Sequence, residues 1–363
     1  MTRPGMIITG AAGFVGRCLL EAFQPDYEIY AIDRRHPRES NAPQGAHIHW
    51  FQADISQHET LCPLFNFIKD QSNIDFLLHL AGYYDFSGDD HPEYRRSNIE
   101  GMHNVVEMAT VFNLKRFIFT SSVAACPFPT PGEAITEATA PTGTPPYSRS
   151  KRAGEEMLWA HRTQFPVTIV RLAAVFTDWC EYEPLSHFLK TWFSGRWEAR
   201  IMGGRGAWAI PYIHMHDLMA FFQQVVEASD RLERFEILQG SPCGATTVID
   251  LYRGATYAYY GQSQPAVQIP KLLARAGILM REQWGRLNGT MPFERSWMGE
   301  YIDLQLTVDA SRTHYRLNWS PRTERSILRR IPVIVENLRN DPETWDVRHR
   351  QRKASQMIRL QPI

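Results

Sequence analysis

The chain has 363 residues, enough for one large α/β domain carrying a smaller lobe. Its 39 Lys and Arg balance its 39 Asp and Glu, so no net field draws it to nucleic acid or to an anionic membrane. No apolar run nears the roughly 18 residues that span a bilayer, residues 1–6 lack signal-peptide architecture, and the five Cys are scattered and odd in number, which excludes a disulfide scaffold and points to a reducing cytoplasm.

In chain order, apolar runs rich in β-branched residues predict strands at Met6–Thr9, Glu28–Ile32, His47–Gln52, Asp75–Leu80, Arg116–Thr120, Val167–Leu172 and Glu236–Leu238. Helices are expected between them at Phe14–Phe23, His58–Lys69, Pro92–Phe112, Tyr147–Thr163 and His216–Ala228. This alternation predicts an α/β fold, a doubly wound parallel sheet, with ligands held beyond the carboxyl ends of the strands.

The alternation fades after Thr177. Residues 178–206 and 241–325 are expected to form a smaller mixed substrate lobe, and 207–240 to return to the dinucleotide-binding domain of residues 1–177. Residues 326–363 are read as a C-terminal helix and a basic, loosely held tail from Arg348. Nine of the ten Trp lie beyond residue 150, which marks this half as aromatic.

The first strand runs straight into Gly10-Ala11-Ala12-Gly13-Phe14-Val15-Gly16, which opens a helix. A tight turn, close backbone approach to a pyrophosphate and close helix–strand packing each demand a residue without a side chain. The helix N-terminus adds partial positive charge. Gly10, Ala12, Gly13, Phe14, Val15 and Gly16 are therefore the expected phosphate cradle. Asp33 ends the second strand, where a carboxylate accepts from ribose hydroxyls and repels a 2′-phosphate, favouring NAD. Arg34, with Arg35 beside it, is the feature that would accommodate NADP. Asp54 and Ile55 follow the third strand, where the adenine edge is expected. The small residues of Leu80-Ala81-Gly82 after the fourth strand leave room for the cofactor to pass.

Tyr147 and Lys151 are four apart on a predicted helix and share a face. An ammonium nearby favours the phenolate, so Lys151 is expected to lower the pKa of Tyr147 and suit it to proton exchange. Ser122 ends the fifth strand and is expected to hydrogen-bond the same substrate oxygen. Two His-x-His pairs, His47/His49 and His214/His216, lack the companions a metal site needs, and no metal is expected.

In this order and spacing the chain resembles the extended short-chain dehydrogenase/reductase family, also called the NAD-dependent epimerase/dehydratase family. Thr9–Gly16, Asp33, Asp54, His79–Gly82, Ser97–Gly101, Thr120–Ser122, Tyr147–Lys151, Arg171–Phe176, Tyr212–Leu218 and Val308–Pro321 carry the resemblance. It implies a Rossmann domain with NAD, a Ser122–Tyr147–Lys151 site with Tyr147 as acid/base and Lys151 holding the nicotinamide ribose, Asn98 on the preceding helix, and Leu172 flanking the nicotinamide. It also implies a homodimer paired through the helices Pro92–Phe112 and Tyr147–Thr163, using Met102, Val105, Val106, Met157 and Leu158. The expected ligand is a small molecule, with no nucleic-acid or membrane partner.

Three activities fit those residues. The first is a dehydrogenase or ketoreductase acting on a bulky, partly apolar alcohol or ketone, in a cleft walled by Tyr83, Tyr84, Phe86 and Phe128. The second is a nucleotide-sugar epimerase; the stretch Arg171–Ala174 lacks the Asn found after the sixth strand in UDP-galactose-epimerase-like members. The third is a dinucleotide sensor without catalysis, in which the Tyr or Lys is usually lost. A 4,6-dehydratase is disfavoured because Val123 and Ala124, not acids, follow Ser122. Arg196, Arg200 and Arg205 are candidates for a substrate phosphate.

Overall fold

A computed structural model describes residues 3–357. Six strands appear in the expected order: β1 (Gly5–Thr9), β2 (Glu28–Asp33), β3 (Ile48–Gln52), β4 (Ile74–His79), β5 (Arg116–Ser122) and β6 (Val167–Leu172). With Phe235–Gly240 they make one parallel seven-stranded sheet, ordered Phe235–Gly240, β6, β5, β4, β1, β2, β3. The order in which successive strands are added reverses between β1 and β4, and there the loops diverge to leave a crevice. All residues of β1 and β4 are buried, as befits parallel strands covered on both faces.

Helices α1 (Phe14–Phe23), α2 (His58–Gln71), α3 (Gly101–Ala109), α4 (Pro146–His161), α5 (Glu183–Trp192) and α6 (Met215–Glu227) follow. Helices α1 and α6 cover one face through Leu19, Leu20, Phe221 and Phe222. Helices α2, α3 and α4 cover the other through Phe65, Val105, Val106 and Leu158. Met102, Val105, Val106 and Leu158 are thus buried against the sheet within one chain, and the apolar dimer surface expected of them is not there. Their spacing encodes the core-facing stripe of an amphipathic helix.

The expected helix from Pro92 is divided. Tyr94–Glu100 is a π-helix that passes into α3, a wide turn of the kind that gathers at functional sites. The region after Gly240, without clear periodicity in sequence, holds α7 (Val248–Tyr260) and α8 (Lys271–Asn288). They are followed by α9 (Ser311–Leu317), α10 (Ile327–Asn340) and α11 (Pro342–Met357). The second core joins Leu189 and Trp192 of α5, Leu251 and Tyr252 of α7, Ile331 and Ile334 of α10, and Trp345 of α11. The tail begins tied down rather than loose: Arg348 pairs with Glu181 at 2.6 Å and His349 meets the Cys180 carbonyl at 3.0 Å. Residues 358–363 of the tail lie outside the described residues.

A buried ion pair joins α4 to the sheet. Arg171 of β6 donates to Glu155 of α4 at 2.8 and 3.1 Å and to the Thr139 carbonyl at 2.7 Å, while the Ser121 hydroxyl of β5 donates to Glu155 at 2.5 Å. Arg171→Leu would strand the Glu155 carboxylate in the interior. Removing one partner of such a pair costs about 3–5 kcal/mol. Urea denaturation is expected to show a loss of that order, and an unchanged midpoint would refute the assignment.

Candidate active site

The turn after β1 is shaped by close approach. Gly10 has φ +73°, and a Cβ there would stand 2.6 Å from the Ala81 N and 2.8 Å from the Leu80 carbonyl carbon at the end of β4. Gly16 leaves no room either, since a Cβ would collide with the Gly10 carbonyl oxygen. The first turn of α1 has Gly13 as its N-cap and so no side-chain cap, which leaves the positive end of the helix facing the crevice. A cavity of about 1360 Å³ runs from this turn, past Leu80, Gly82, Ser122, Tyr147, Lys151 and Leu172, into the C-terminal lobe. A second, about 50 Å³, adjoins it and is walled by Asp33, Arg34, Asp54, Ile55 and Ala81. Between them they collect every expected site residue except Ala12 and Asn98.

Around the small cavity the polar groups answer one another. The Asp33 carboxylate accepts from the Ala12 N–H at 3.0 Å and from the Arg35 side chain at 3.1 Å, so it ties the β1 turn to the β2 end. Arg35 thereby lies on Asp33 and offsets its charge. Arg34 stands 3.6 Å from Asp54 and 3.5 Å from Glu93. Asp54 also accepts from Ser56 at 2.8 Å and from Arg96 at 2.8 Å. Burial disfavours its charged form, but those hydrogen bonds outweigh burial and hold the carboxyl below its ordinary value. Arg96 and Glu93 escaped the sequence reading because one lies in the π-helix and the other caps it, and no pattern announced that helix.

Asn98 is a clamp. Its side chain accepts from the Tyr83 N–H at 2.6 Å and donates to the Tyr83 carbonyl at 2.8 Å and the Ser150 hydroxyl at 2.9 Å. It binds the loop after β4 to α4, one residue before Lys151. Lys151 is buried and donates to the Thr120 carbonyl at 2.8 Å, with its nitrogen 5.8 Å from the centre of the Tyr147 ring.

The Tyr147 hydroxyl is in hydrogen-bonding reach of Ser122, whose own oxygen is fixed by the Ala124 N–H at 3.1 Å. Contrary to the sequence expectation, the Tyr147 phenol is held above its ordinary pKa. Burial is the main cause, Tyr84 and Tyr94 add to it, and only the Ser122 hydrogen bond works the other way. The Lys151 ammonium donates to the Thr120 carbonyl, and helix spacing alone did not reveal that. His79, beneath this site, is fully buried, bonded to the Thr9 hydroxyl at 2.7 Å, and pushed down to about 3 by burial and by Lys151, so it stays neutral.

Tyr83, Tyr84, Phe86 and Phe128 all line the large cavity. Its far wall adds Tyr182, Phe188, Trp208, Phe293, Trp297 and Tyr301, seen from sequence only as an excess of aromatics. The Trp297 indole donates to the Ser87 carbonyl at 2.9 Å and so joins the lobe to the loop after β4. The cations on this wall are answered: Arg196 by Glu198 at 2.6 Å, Arg281 by Glu294 at 3.7 Å, and Lys190 by Asp346 at 3.6 Å. Arg200 and Arg205 are exposed and do not line it. His47 and His49 both bond Glu28, and no group of residues suited to a metal occurs among the described residues.

The profile of the NAD dependent epimerase/dehydratase family matches residues 6–239. The "Putative dihydroflavonol 4-reductase" of Synechocystis sp. is 29% identical over 119 residues, 32% of this chain and 32% of that protein. The UDP-glucose 4-epimerase of Schizosaccharomyces pombe is 26% identical over 159 residues, 40% of this chain and 43% of that protein. The matched stretches thus span less than half the length of these relatives. Among solved structures, the UDP-glucose 4-epimerase of Thermotoga maritima, crystallised with UDP-glucose, superposes with a TM-score of 0.68 at 18% identity, over 93% of this chain and 100% of that one. The dTDP-glucose 4,6-dehydratase of Bacillus anthracis, in complex with NAD, gives 0.68 at 14%, over 95% and 99%. At these identities the likeness is one of fold.

The Asp33–Arg35 pair makes a measurable prediction. NAD(H) is expected to bind more tightly than NADP(H) by titration calorimetry. Arg35→Ala is expected to widen the gap, because an uncompensated Asp33 repels a 2′-phosphate more strongly. A variant that gains NADP(H) affinity would refute this arrangement.

Proposed function

The chain belongs to the NAD dependent epimerase/dehydratase family, and from that premise we propose that it is an NAD(P)-dependent dehydrogenase or reductase that interconverts a secondary alcohol and a ketone. One observation carries the reading: Ser122, Tyr147 and Lys151 converge at the inner end of a cavity whose outer walls are aromatic and whose cations are paired. A nucleotide diphosphate needs unpaired cations or N–H donors along its length, whereas a bulky, partly apolar ring system needs what these walls offer.

The cradle fits the cofactor: Gly10 and Gly16 admit backbone where a Cβ would collide, and the uncapped start of α1 suits a pyrophosphate. The bound nicotinamide supplies hydride exchange at carbon. The protein's own groups handle the proton. The substrate oxygen lies between the Ser122 and Tyr147 hydroxyls. In oxidation the Tyr147 phenolate takes the substrate's hydroxyl proton. In reduction the neutral phenol returns that proton to the oxygen. Ser122 stabilises the charge that develops on the oxygen, and Lys151 holds the cofactor's ribose.

Nucleotide-sugar epimerisation is the second reading. The Schizosaccharomyces pombe relative's name favours it, and it uses the same Ser and Tyr. Hydroxysteroids, aromatic ketones, and UDP- and dTDP-sugars, assayed by NADH absorbance and by product analysis, separate the two. Net NADH turnover supports the first; inverted sugar without net NADH supports the second.

With a substrate in hand, Tyr147→Phe is expected to keep the fold and NAD binding and to lower turnover about 10²-fold or more, the scale for a positioned acid/base. Lys151→Met is expected to weaken NAD binding as well, and Ser122→Ala to cost more in kcat than in binding. A Tyr147→Phe enzyme of unchanged turnover would end the proposal.

Because burial holds the Tyr147 phenol above its ordinary value, the pH profile has a definite sign. Oxidation needs the phenolate and rises with pH through the phenol's titration. Reduction needs the neutral phenol and falls across the same limb. Parallel profiles in the two directions would show that Tyr147 does not carry the proton.

A further inference from the structure

Helix α8 (Lys271–Asn288) is built inside out. Its inner side buries Ala274, Glu282 and Gly285, and Ala274, Gly277, Ile278 and Arg281 wall the large cavity. Its outer side exposes Leu272 (78%), Leu273, Leu279, Met280, Trp284 (68%) and Leu287 (81%). At 100° a residue these six, with Ala276 and Gln283, fall within one arc of about 140°. A helix in a soluble protein turns such a stripe inward. Here the stripe faces out, and it is larger than scattered surface Leu would make.

One edge of the stripe is basic. Lys271, Arg275 and Arg286 lie along it, while Arg281, beyond the other edge, walls the cavity and pairs with Glu294 at 3.7 Å. The only acid on the helix, Glu282, is buried and bonded to Arg286 at 2.7 Å and the Ser296 N–H at 2.6 Å. Lys271 and Arg275 have no ion pair among the described residues. We propose that α8 lies flat in the surface of an anionic phospholipid bilayer, its Leu, Met and Trp side chains among the acyl chains and its cations at the headgroups.

The charge pattern selects this occupant over a second copy of the chain. A two-fold contact of α8 on α8 would set basic edge near basic edge, and the helix's own acid, Glu282, is buried and bonded to Arg286. Anionic headgroups answer the basic edge, and Lys and Arg stems snorkel along the apolar flank. No helix among the described residues is long and apolar enough to cross a membrane. The expectation of no membrane contact rested on the balanced net charge and the lack of a spanning run, and neither bears on a helix that lies on the surface. This inference does not depend on the reaction assigned above.

Co-sedimentation of the full chain with phosphatidylcholine vesicles, with and without phosphatidylglycerol, tests it. Binding is expected to the anionic vesicles and to weaken in high salt. The triple variant Leu273→Glu, Met280→Glu, Leu287→Glu removes exposed side chains only. It should keep its circular dichroism spectrum and bind about tenfold more weakly or less, since affinity scales with buried apolar area. Lys271→Glu with Arg275→Glu should lose the preference for anionic lipid. Wild-type protein that ignores both vesicles overturns the proposal. So does a triple variant that binds as wild type, or light scattering in which the triple substitution converts a dimer to a monomer while vesicle binding is absent.

Discussion

The contact on which the site depends is the backbone of Gly10 against the end of β4. At φ +73°, with the Ala81 N 2.6 Å from where a Cβ would be, only glycine allows the β1 turn to press on the neighbouring strand. The Gly10 N–H reaches the Ile32 carbonyl at 2.9 Å, so the same residue also fixes the turn to β2. The start of α1, Asp33 and the loop from Leu80 to Tyr83 are all placed from this one junction. It lies where the sheet order reverses, which is why the crevice opens there.

The groups proposed for catalysis are set by a separate polar frame. Asn98 holds the loop after β4 to α4, Lys151 meets the β5 backbone through Thr120, and the Glu155–Arg171 pair locks α4 across β5 and β6. Each of these groups is buried and would be costly unpaired. Together they leave Tyr147 and Ser122 little freedom, which suits their proposed meeting with one substrate oxygen. The frame also explains the phenol's raised pKa. The protein alone provides burial and neighbouring phenols around Tyr147, while the Lys151 ammonium donates to the Thr120 carbonyl.

The C-terminal lobe supplies what the dinucleotide-binding half lacks, a large aromatic enclosure. Trp297 ties it to the loop after β4, and the far-wall ion pairs reduce the net field inside. Helix α8 is the wall that also faces outward, and its apolar stripe marks a second environment beside the site.

Much of this was legible in the sequence. All seven sheet strands were, because fully buried parallel strands leave runs of Val, Ile and Leu between helical periods. The cradle was, because a glycine spacing that follows a strand and opens a helix has one physical use. That Tyr147, Lys151 and Ser122 come together at one cavity was legible too, through spacing and order. What a periodicity cannot carry is the partner of each group. That Asp33 is covered by Arg35, that Asn98 clamps Tyr83 through a π-turn, and that Lys151 meets Thr120 are facts of distant residues brought together. The same limit hid α8 and put Met102, Val105, Val106 and Leu158 at a surface when they face the sheet. A stripe of Leu and Met reads alike whether it meets a sheet, as Met102 and Val105 do, or solvent, as Leu272 and Leu287 do. Only the tertiary packing decides which side of a helix has something to cover it.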